Sequence, residues 1–298
     1  MKIVMLGNSG AGKTTYLALM YAEMNQGVSG FRVQATSSEQ HQLLLRDAKG
    51  IRTGVYPAAT HRRASYDLAL SYNGTEVLPF SWRDHRGGAA SGRTSDAGDV
   101  AELHRDLLDS DAIIMFADGA ELVSSPRAAK AFGRLSGHVL RALHARGQVP
   151  TPVVIVVTKC DLINLGDQKV LEAVRAPLRE LITAIRASQH IHGTAQLVSC
   201  GPSPANVITP AVWSLRWGVL GMRARLAVSL QQSIAAAPAA AKRDTLVSRF
   251  VAAWRGKQTW RQRAVLHRLQ AQRAYEDLEA LIPPVQGLDK LLADVTSF

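Results

Sequence analysis

The chain has 298 residues, of which 47% are hydrophobic and 20% charged, and a formal net charge of +11. That length holds one α/β domain and a smaller second unit. No apolar run reaches the ~18 residues that suggest a membrane span, and Lys2 leads straight into a strand-like run rather than a secretory leader. Only two cysteines are present, Cys160 and Cys200, which leaves no disulfide framework, so a cytoplasmic protein is expected.

Ile3 to Leu6 read as a short buried strand, and Tyr16, Leu17, Leu19, Met20 and Met24 recur at helical spacing. Between them lie Gly7, Asn8, Ser9, Gly10, Ala11, Gly12, Lys13 and Thr14, a complete GxxxxGK[ST] phosphate loop, followed by Thr15. Glycines let backbone N–H groups turn inward around an anion, and the helix N-terminus adds partial positive charge. Lys13 brings a full charge to β and γ phosphates, and Thr14 offers its hydroxyl to Mg²⁺. Strand, loop and helix in that order point to nucleotide binding.

Ser37 to Gly50 predicts an additional capped helix, with Ser37 or Ser38 before Glu39 and the apolar Leu43 to Leu45. The segment Gly54 to Thr60 follows, and Thr60 precedes the alternating run Ala64 to Leu70. Arg63 to Ser71 and Thr75 to Ser81 flank Tyr72, Asn73 and Gly74, and Asn-Gly between alternating runs predicts a hairpin. Asp84, His85, Arg86 and Gly87 then fit DxxG, and the small, glycine-rich run Gly88 to Gly98 predicts a mobile loop.

Helices are predicted around Val100 to Leu108, Ala128 to Ala145 and Val170 to Ala187, alternating with strands Ala112 to Ala117, Val153 to Val157 and Gln196 to Val198. Apolar strands alternating with helices mean a mostly parallel sheet, here of six strands, with helices on both faces and ligand at the strands' carboxyl ends. Val153 to Val157 runs into Thr158, Lys159, Cys160 and Asp161, which matches NKxD except at its first position. An aspartate there accepts from N1–H and the 2-amino group of guanine, and a base without those donors would leave it unpaired. Lys159 would lie along the base plane. Threonine for asparagine at 158 predicts weaker bracing between loops. Leu197 to Gly201, with Ser199 and Cys200, resembles the short SAK-like loop of GTPases, a likeness that implies a backbone approach to guanine O6. Cys160 and Cys200 read as packing residues.

In this order the motifs resemble those of Ras-like P-loop GTPases of the translation-factor-related class, over about residues 1–203. The Gly54 to Thr60 phrase and the long Ala- and Arg-rich tail further resemble the bacterial double-GTPase-like group of conflict and effector systems. The resemblance implies GTP and GDP as ligands, Mg²⁺ held by Thr14, Thr60 and Asp84, and a γ-phosphate contact from Gly87. Lys13, Thr60, Asp84 and Gly87 would form the catalytic set. Such GTPases commonly place a glutamine directly after the DxxG glycine to orient water, and here Gly88 stands there. Hydrolysis should therefore be slow unless His85, Arg86, Arg93 or a group from another chain supplies that function.

Residues 1–200 carry 22 Lys and Arg against 18 Asp and Glu, or +4, leaving 13 against 6, or +7, for residues 201–298. Residues 204–298 read as a basic α-helical extension: a helix to about Gln232, a break at Ala235 to Ala241 around Pro238, then helices Arg243 to Arg255 and Gln258 to Ile282, stopped by Pro283 and Pro284. Trp260, Ala264, Ala271, Tyr275, Leu278 and Ile282 would share one apolar face. Such a tail suits a protein effector or regulator, or self-association into a homo-oligomer. A membrane surface or nucleic acid is an alternative that no specific motif supports. Three functions stay open: a GTP-hydrolysing switch, a GTP-binding scaffold without turnover and, more remotely, a P-loop ATPase or kinase.

Overall fold

The computed structural model of the chain describes residues 1–58, 64–85, 97–242, 244–245 and 258–298. It contains one seven-stranded sheet, ordered β2-β3-β4-β1-β5-β6-β7. The strands are β1 (Lys2–Gly7), β2 (Phe31–Ala35), β3 (Ala64–Tyr72), β4 (Thr75–Asp84), β5 (Ala112–Asp118), β6 (Thr151–Thr158) and β7 (Ile191–Leu197). β1 pairs in parallel with β4 and β5, β6 lies between β5 and β7, and β3 alone runs against its neighbours. All six expected strands are present. The seventh, β2, follows a tight reversal in which Val28 and Phe31 exchange backbone hydrogen bonds of 2.8 Å. Only five residues long, it has a weak pattern of its own and is defined by pairing with β3.

β1, β5 and β6 carry the longest fully buried runs, as parallel strands covered on both faces require. The β3–β4 hairpin turns at Asn73 (φ 48°) and Gly74 (φ 83°), left-handed at both central positions as a tight primed turn demands. β7 starts five residues before the expected Gln196, because its polar opening residues become strand only by pairing with β6 from Thr151 onward.

Helices α1 (Lys13–Gln26), α2 (Ser38–Arg52), α3 (Ala97–Leu108), α4 (Gly119–Ser124), α5 (Pro126–Ala145), α6 (Gln168–Arg175) and α7 (Arg179–Arg186) connect the strands. The additional helix α2 is capped by the Ser37 hydroxyl, which accepts from Gln40 N. One expected helix is instead two: Pro177 lies in a 3₁₀ turn over Ala176–Leu178 between α6 and α7. Proline lacks an N–H and crowds the residue before it, so the α-helical ladder cannot run through.

The remaining helices are α8 (Thr209–Lys242), α9 (Trp260–Ala280) and α10 (Ile282–Leu291). Pro238 does not break α8, contrary to expectation. It falls within the last turns, where flanking alanines have the highest helix propensity and few bonds remain to be lost. Pro283 and Pro284 do more than stop a helix, since both lie in the first turn of α10, where a missing N–H is harmless. Of the expected helix from Arg243 to Arg255, all but 244–245 lies outside the described residues.

The chain divides into two compact units, Met1–Gly218 with Leu288–Phe298, and Val219–Gly287, rather than at residue 203. The first unit extends past 203 because the start of α8 is apolar, with Ala211, Val212, Trp213 and Leu215 buried. Its last residue, Phe298, exchanges two backbone hydrogen bonds with Gly193 on β7. Within the second unit, buried or half-buried positions recur at steps of three and four: Leu226, Leu230, Ser233, Ala237 and Ala240 on α8, and Ala264, His267, Ala271, Ala274, Leu278 and Leu281 along α9 and the residue after it. The α9 seam differs from the expected apolar face: Tyr275 and Ile282 are exposed, and Ala274 and His267 take their place. Among the described residues, no helix is long and apolar enough to cross a membrane.

Candidate functional site

The phosphate loop leaves β1 at Gly7, where an added Cβ would lie 2.9 Å from Phe116 Cβ, so only glycine lets the loop start this close to β5. Gly10 (φ 80°) and Gly12 (φ 77°) are left-handed, which turns the chain over Ala11 and into the first turn of α1. No side chain caps α1 at Gly12, and the positive end of the helix dipole faces the loop, where it suits an anion. Lys13 is buried, and its Nζ donates to Gly7 O (3.1 Å) and Asn8 O (3.4 Å).

Lys13 Nζ also lies 3.8 Å from Asp84 Oδ1, and Thr14 Oγ1 donates to Asp84 Oδ2 at 3.5 Å. Asp84, at the end of β4, is 2% exposed. Burial pushes its carboxyl up to about 6, against the opposing pull of Lys13 and Thr14. Burial likewise lowers Lys13, with Asp84 opposing. A hydroxyl and a buried carboxylate side by side form a hard-oxygen set that suits Mg²⁺.

Around 150 residues further along the chain, the loop after β6 reaches the same place. A cavity of about 530 Å³ is lined by Ser9 to Thr15 on one side and by Thr158, Lys159, Asp161, Leu162, Cys200 and Gly201 on the other. Thr158 Oγ1 is 2.9 Å from Ala11 O and 3.2 Å from Ala117 O, so its single proton ties the phosphate loop or β5 to the end of β6. The bracing expected to weaken with threonine is therefore made by its hydroxyl. Lys159 adopts φ 56°, and its Nζ pairs with Asp118 Oδ2 at 2.5 Å. The other oxygen of Asp118 accepts from Glu121 N and caps α4. Gly201 has room beside Asp161 that no side chain would leave: a Cβ there would lie 3.0 Å from Asp161 Oδ2.

The cavity gathers Ser9, Gly10, Ala11, Gly12, Lys13, Thr14, Thr15, Thr158, Lys159, Asp161 and Cys200. Gly7 and Asn8 stand behind the loop as acceptors for Lys13. Ser199 does not line the cavity; its backbone pairs with Ala205 in both directions and shapes the loop. His85 is also absent from the lining, and its Nε2 lies 2.8 Å from Asp106 Oδ2 on α3. Thr60, Arg86, Gly87, Gly88 and Arg93 lie outside the described residues. Burial raises the thiols of Cys160 and Cys200 to about 11 and about 12, which keeps both protonated at neutral pH and suits packing residues.

Two contributions escaped the sequence reading. Tyr56, Pro57 and Ala58 line the cavity from the segment before β3, and a Cβ on Gly201 would lie 3.8 Å from the Tyr56 hydroxyl. A half-exposed tyrosine beside proline carries no local signal of this. Asp118 holds Lys159, and its only signal was its place at the end of a buried strand.

The family model described as Double-GTPase 2 matches residues 2–205. No curated protein matches the chain. Among solved structures, the signal recognition particle receptor SRb-GTP/SRX complex from Chaetomium thermophilum is 15% identical, with a TM-score of 0.44 over 73% of this chain and 97% of that one. The GTPase-like domain of S. cerevisiae Ski7, bound to GTP, is 13% identical, with a TM-score of 0.43 over 71% of this chain and 44% of that one.

Proposed function

Because the chain belongs to the Double-GTPase 2 family, we propose that it binds GTP and GDP with Mg²⁺ as a molecular switch in the cytoplasm, hydrolyses GTP slowly, and signals to a protein partner. One observation carries this reading: Lys13 and Asp161, far apart in sequence, line a single cavity. The α1 N-terminus and Lys13 would bind the β and γ phosphates. Asp161 would accept from guanine N1–H and the 2-amino group, while Asp118 holds Lys159 beside the base. Thr14 and Asp84 would hold Mg²⁺, which when bound neutralises phosphate charge.

Slow turnover is supported by two features. Gly88 has no side chain with which to orient water, and the His85 imidazole is engaged by Asp106 on α3. These also favour a second reading, a GTP-binding scaffold with negligible turnover. For the partner, the second unit offers Val265, Leu266, Leu269 and Tyr275 at 42–52% exposure beside arginines, a mixture that suits protein contacts.

Titration of the protein with GTP, GDP, ITP and ATP in Mg²⁺, followed by timed phosphate release, tests the reading. GTP and GDP are expected to bind at least roughly 100-fold more tightly than ATP, and Asp161→Asn to remove most of that preference by mispairing with N1–H. Tight binding without phosphate release selects the scaffold, and a preference for ATP ends both readings.

A further inference from the structure

Asp84 is flanked by two residues that grip the same carboxylate. Side chains alternate along a strand, so Arg83 and His85 point to one face of the sheet and Asp84 to the other. The alternation extends past the end of β4, because His85 N donates to Met5 O at 3.3 Å and continues the ladder with β1. Asp84 shares its face with Trp82, whose ring packs near Tyr16 of α1, and so meets Lys13 and Thr14. Arg83 and His85 meet α3 on the opposite face.

There Asp106 is 4% exposed and uses both of its oxygens. Oδ1 accepts from Arg83 NH1 at 2.9 Å and from Lys2 Nζ at 2.6 Å, while His85 Nε2 lies 2.8 Å from Oδ2. The imidazole thus meets the carboxylate as a close electrostatic contact, while Arg83 and Lys2 hydrogen-bond to it. A buried carboxylate demands partners of this kind, and its two donors and the imidazole beside it come from β1 and from both sides of Asp84. The residue between the two prongs therefore has little freedom to shift along or out of the strand.

We propose that Asp106 is a positioning residue for the magnesium site: through Arg83 and His85 it fixes the backbone on either side of Asp84 and so sets where the Asp84 carboxylate stands relative to Thr14. This rests on the proposed binding of guanine nucleotide with Mg²⁺. In this arrangement His85 acts through α3 rather than upon water, and displacing α3 displaces a metal ligand.

The test is the Mg²⁺ concentration that gives half-maximal retention of fluorescent GDP on the full chain, beside GDP affinity in excess EDTA. Asp106→Asn leaves Nε2 of His85 facing an amide and is expected to raise the Mg²⁺ midpoint roughly 10-fold, with GDP affinity in EDTA held within about twofold. Arg83→Met, at a less buried prong, should move the midpoint the same way by a smaller factor. Asp106→Glu should restore part of the shift. A role confined to folding would weaken GDP binding equally with and without Mg²⁺, and that result overturns the proposal. An unchanged midpoint in Arg83→Met overturns it too, even if Asp106→Asn fails to fold. Wild-type protein whose GDP binding is indifferent to Mg²⁺ would instead overturn the proposed metal-dependent function itself.

Discussion

In the sheet unit the largest fully buried side chains are Trp82, Tyr16, Tyr21, Phe31 and Phe116. In Val219–Gly287 the buried positions include Ser233, Ala237, Ala240, Ala264 and Ala274, while Val228, Ile234, Val265, Leu266, Leu269 and Tyr275 are 42–58% exposed. A wide aromatic and aliphatic core removes much apolar area from water, at roughly 25 cal/mol per Å², and fixes loops at the ends of strands. A seam that buries mostly alanine and serine, with Leu226, Leu230 and Leu278 only half-buried, removes less. The first unit therefore has rigidity to spend on a pocket of precise shape. The second has apolar surface left over, which fits a role in contact rather than chemistry.

Lys13→Ala tests the chemical side most severely. It removes the buried ammonium of the phosphate loop, and loss of such a charge contact is worth about 4 kcal/mol, or roughly 1,000-fold in GTP affinity. The far-UV signal of the helical unit should be unaffected. Isothermal titration with GTP and GDP measures the first effect and thermal circular dichroism the second. Retained nanomolar or micromolar binding comparable to wild type would remove Lys13 from the site.

Asp84→Asn separates function from stability. The folded carboxyl is raised from 3.8 to about 6, so its favourable contribution is complete below pH 3.8 and is lost as pH rises through 6. At pH 7 the buried charge burdens the nucleotide-free fold by about 3 kcal/mol, at 1.36 kcal/mol per pKa unit. Asp84→Asn is thus expected to raise the nucleotide-free melting temperature at pH 7, with the gain disappearing near pH 4, while Mg²⁺ ceases to stabilise bound GDP. Equal melting temperatures of the two proteins at pH 7 would show that burial does not strain this group.

Ala274→Leu applies the converse test. Ala274 is 6% exposed in the narrow seam of α9, and extra methylene groups there force side chains apart at a cost of about 2 kcal/mol. Limited proteolysis should cut residues 219–287 sooner, with GTP affinity unchanged within twofold. A protease pattern like that of the wild type would mean the seam is loose enough to hold leucine.

The sheet unit was largely legible because its information is local. Gly7 to Thr14 and Asp84 each announce their chemistry within a few residues, and Ala112 to Ala117 and Val153 to Val157 are unbroken apolar runs. β2 and the opening of β7 were not, since pairing with a neighbour rather than their own pattern makes them strands. Asp118 and Asp106 were hidden for a related reason: each works by a contact across the fold, on Lys159 and on Arg83 and His85. In the helical unit, helix content was readable and the buried face was not. Large apolar residues mark a core only when the partner helix leaves room for them, and here alanine takes the seam while Tyr275 stays outside.

Thr158→Val gives the smallest effect and the finest probe of how the two halves of the pocket are joined. Valine keeps the β-branched shape in this fully buried position, so packing against Gly12 is preserved and only the hydroxyl is lost. Ala11 O then loses its 2.9 Å donor, and with it the link between phosphate loop and base loop. Losing such a bond costs about 1 kcal/mol, or roughly 5-fold in affinity. The loss should fall on GTP and GDP alike, because the bond braces the whole pocket rather than the γ-phosphate end. Stopped-flow release of fluorescent GDP, faster by that factor, is the expected result. Release at the wild-type rate would show that backbone packing alone aligns the loops, and that the hydroxyl serves only Ala117 O within the sheet.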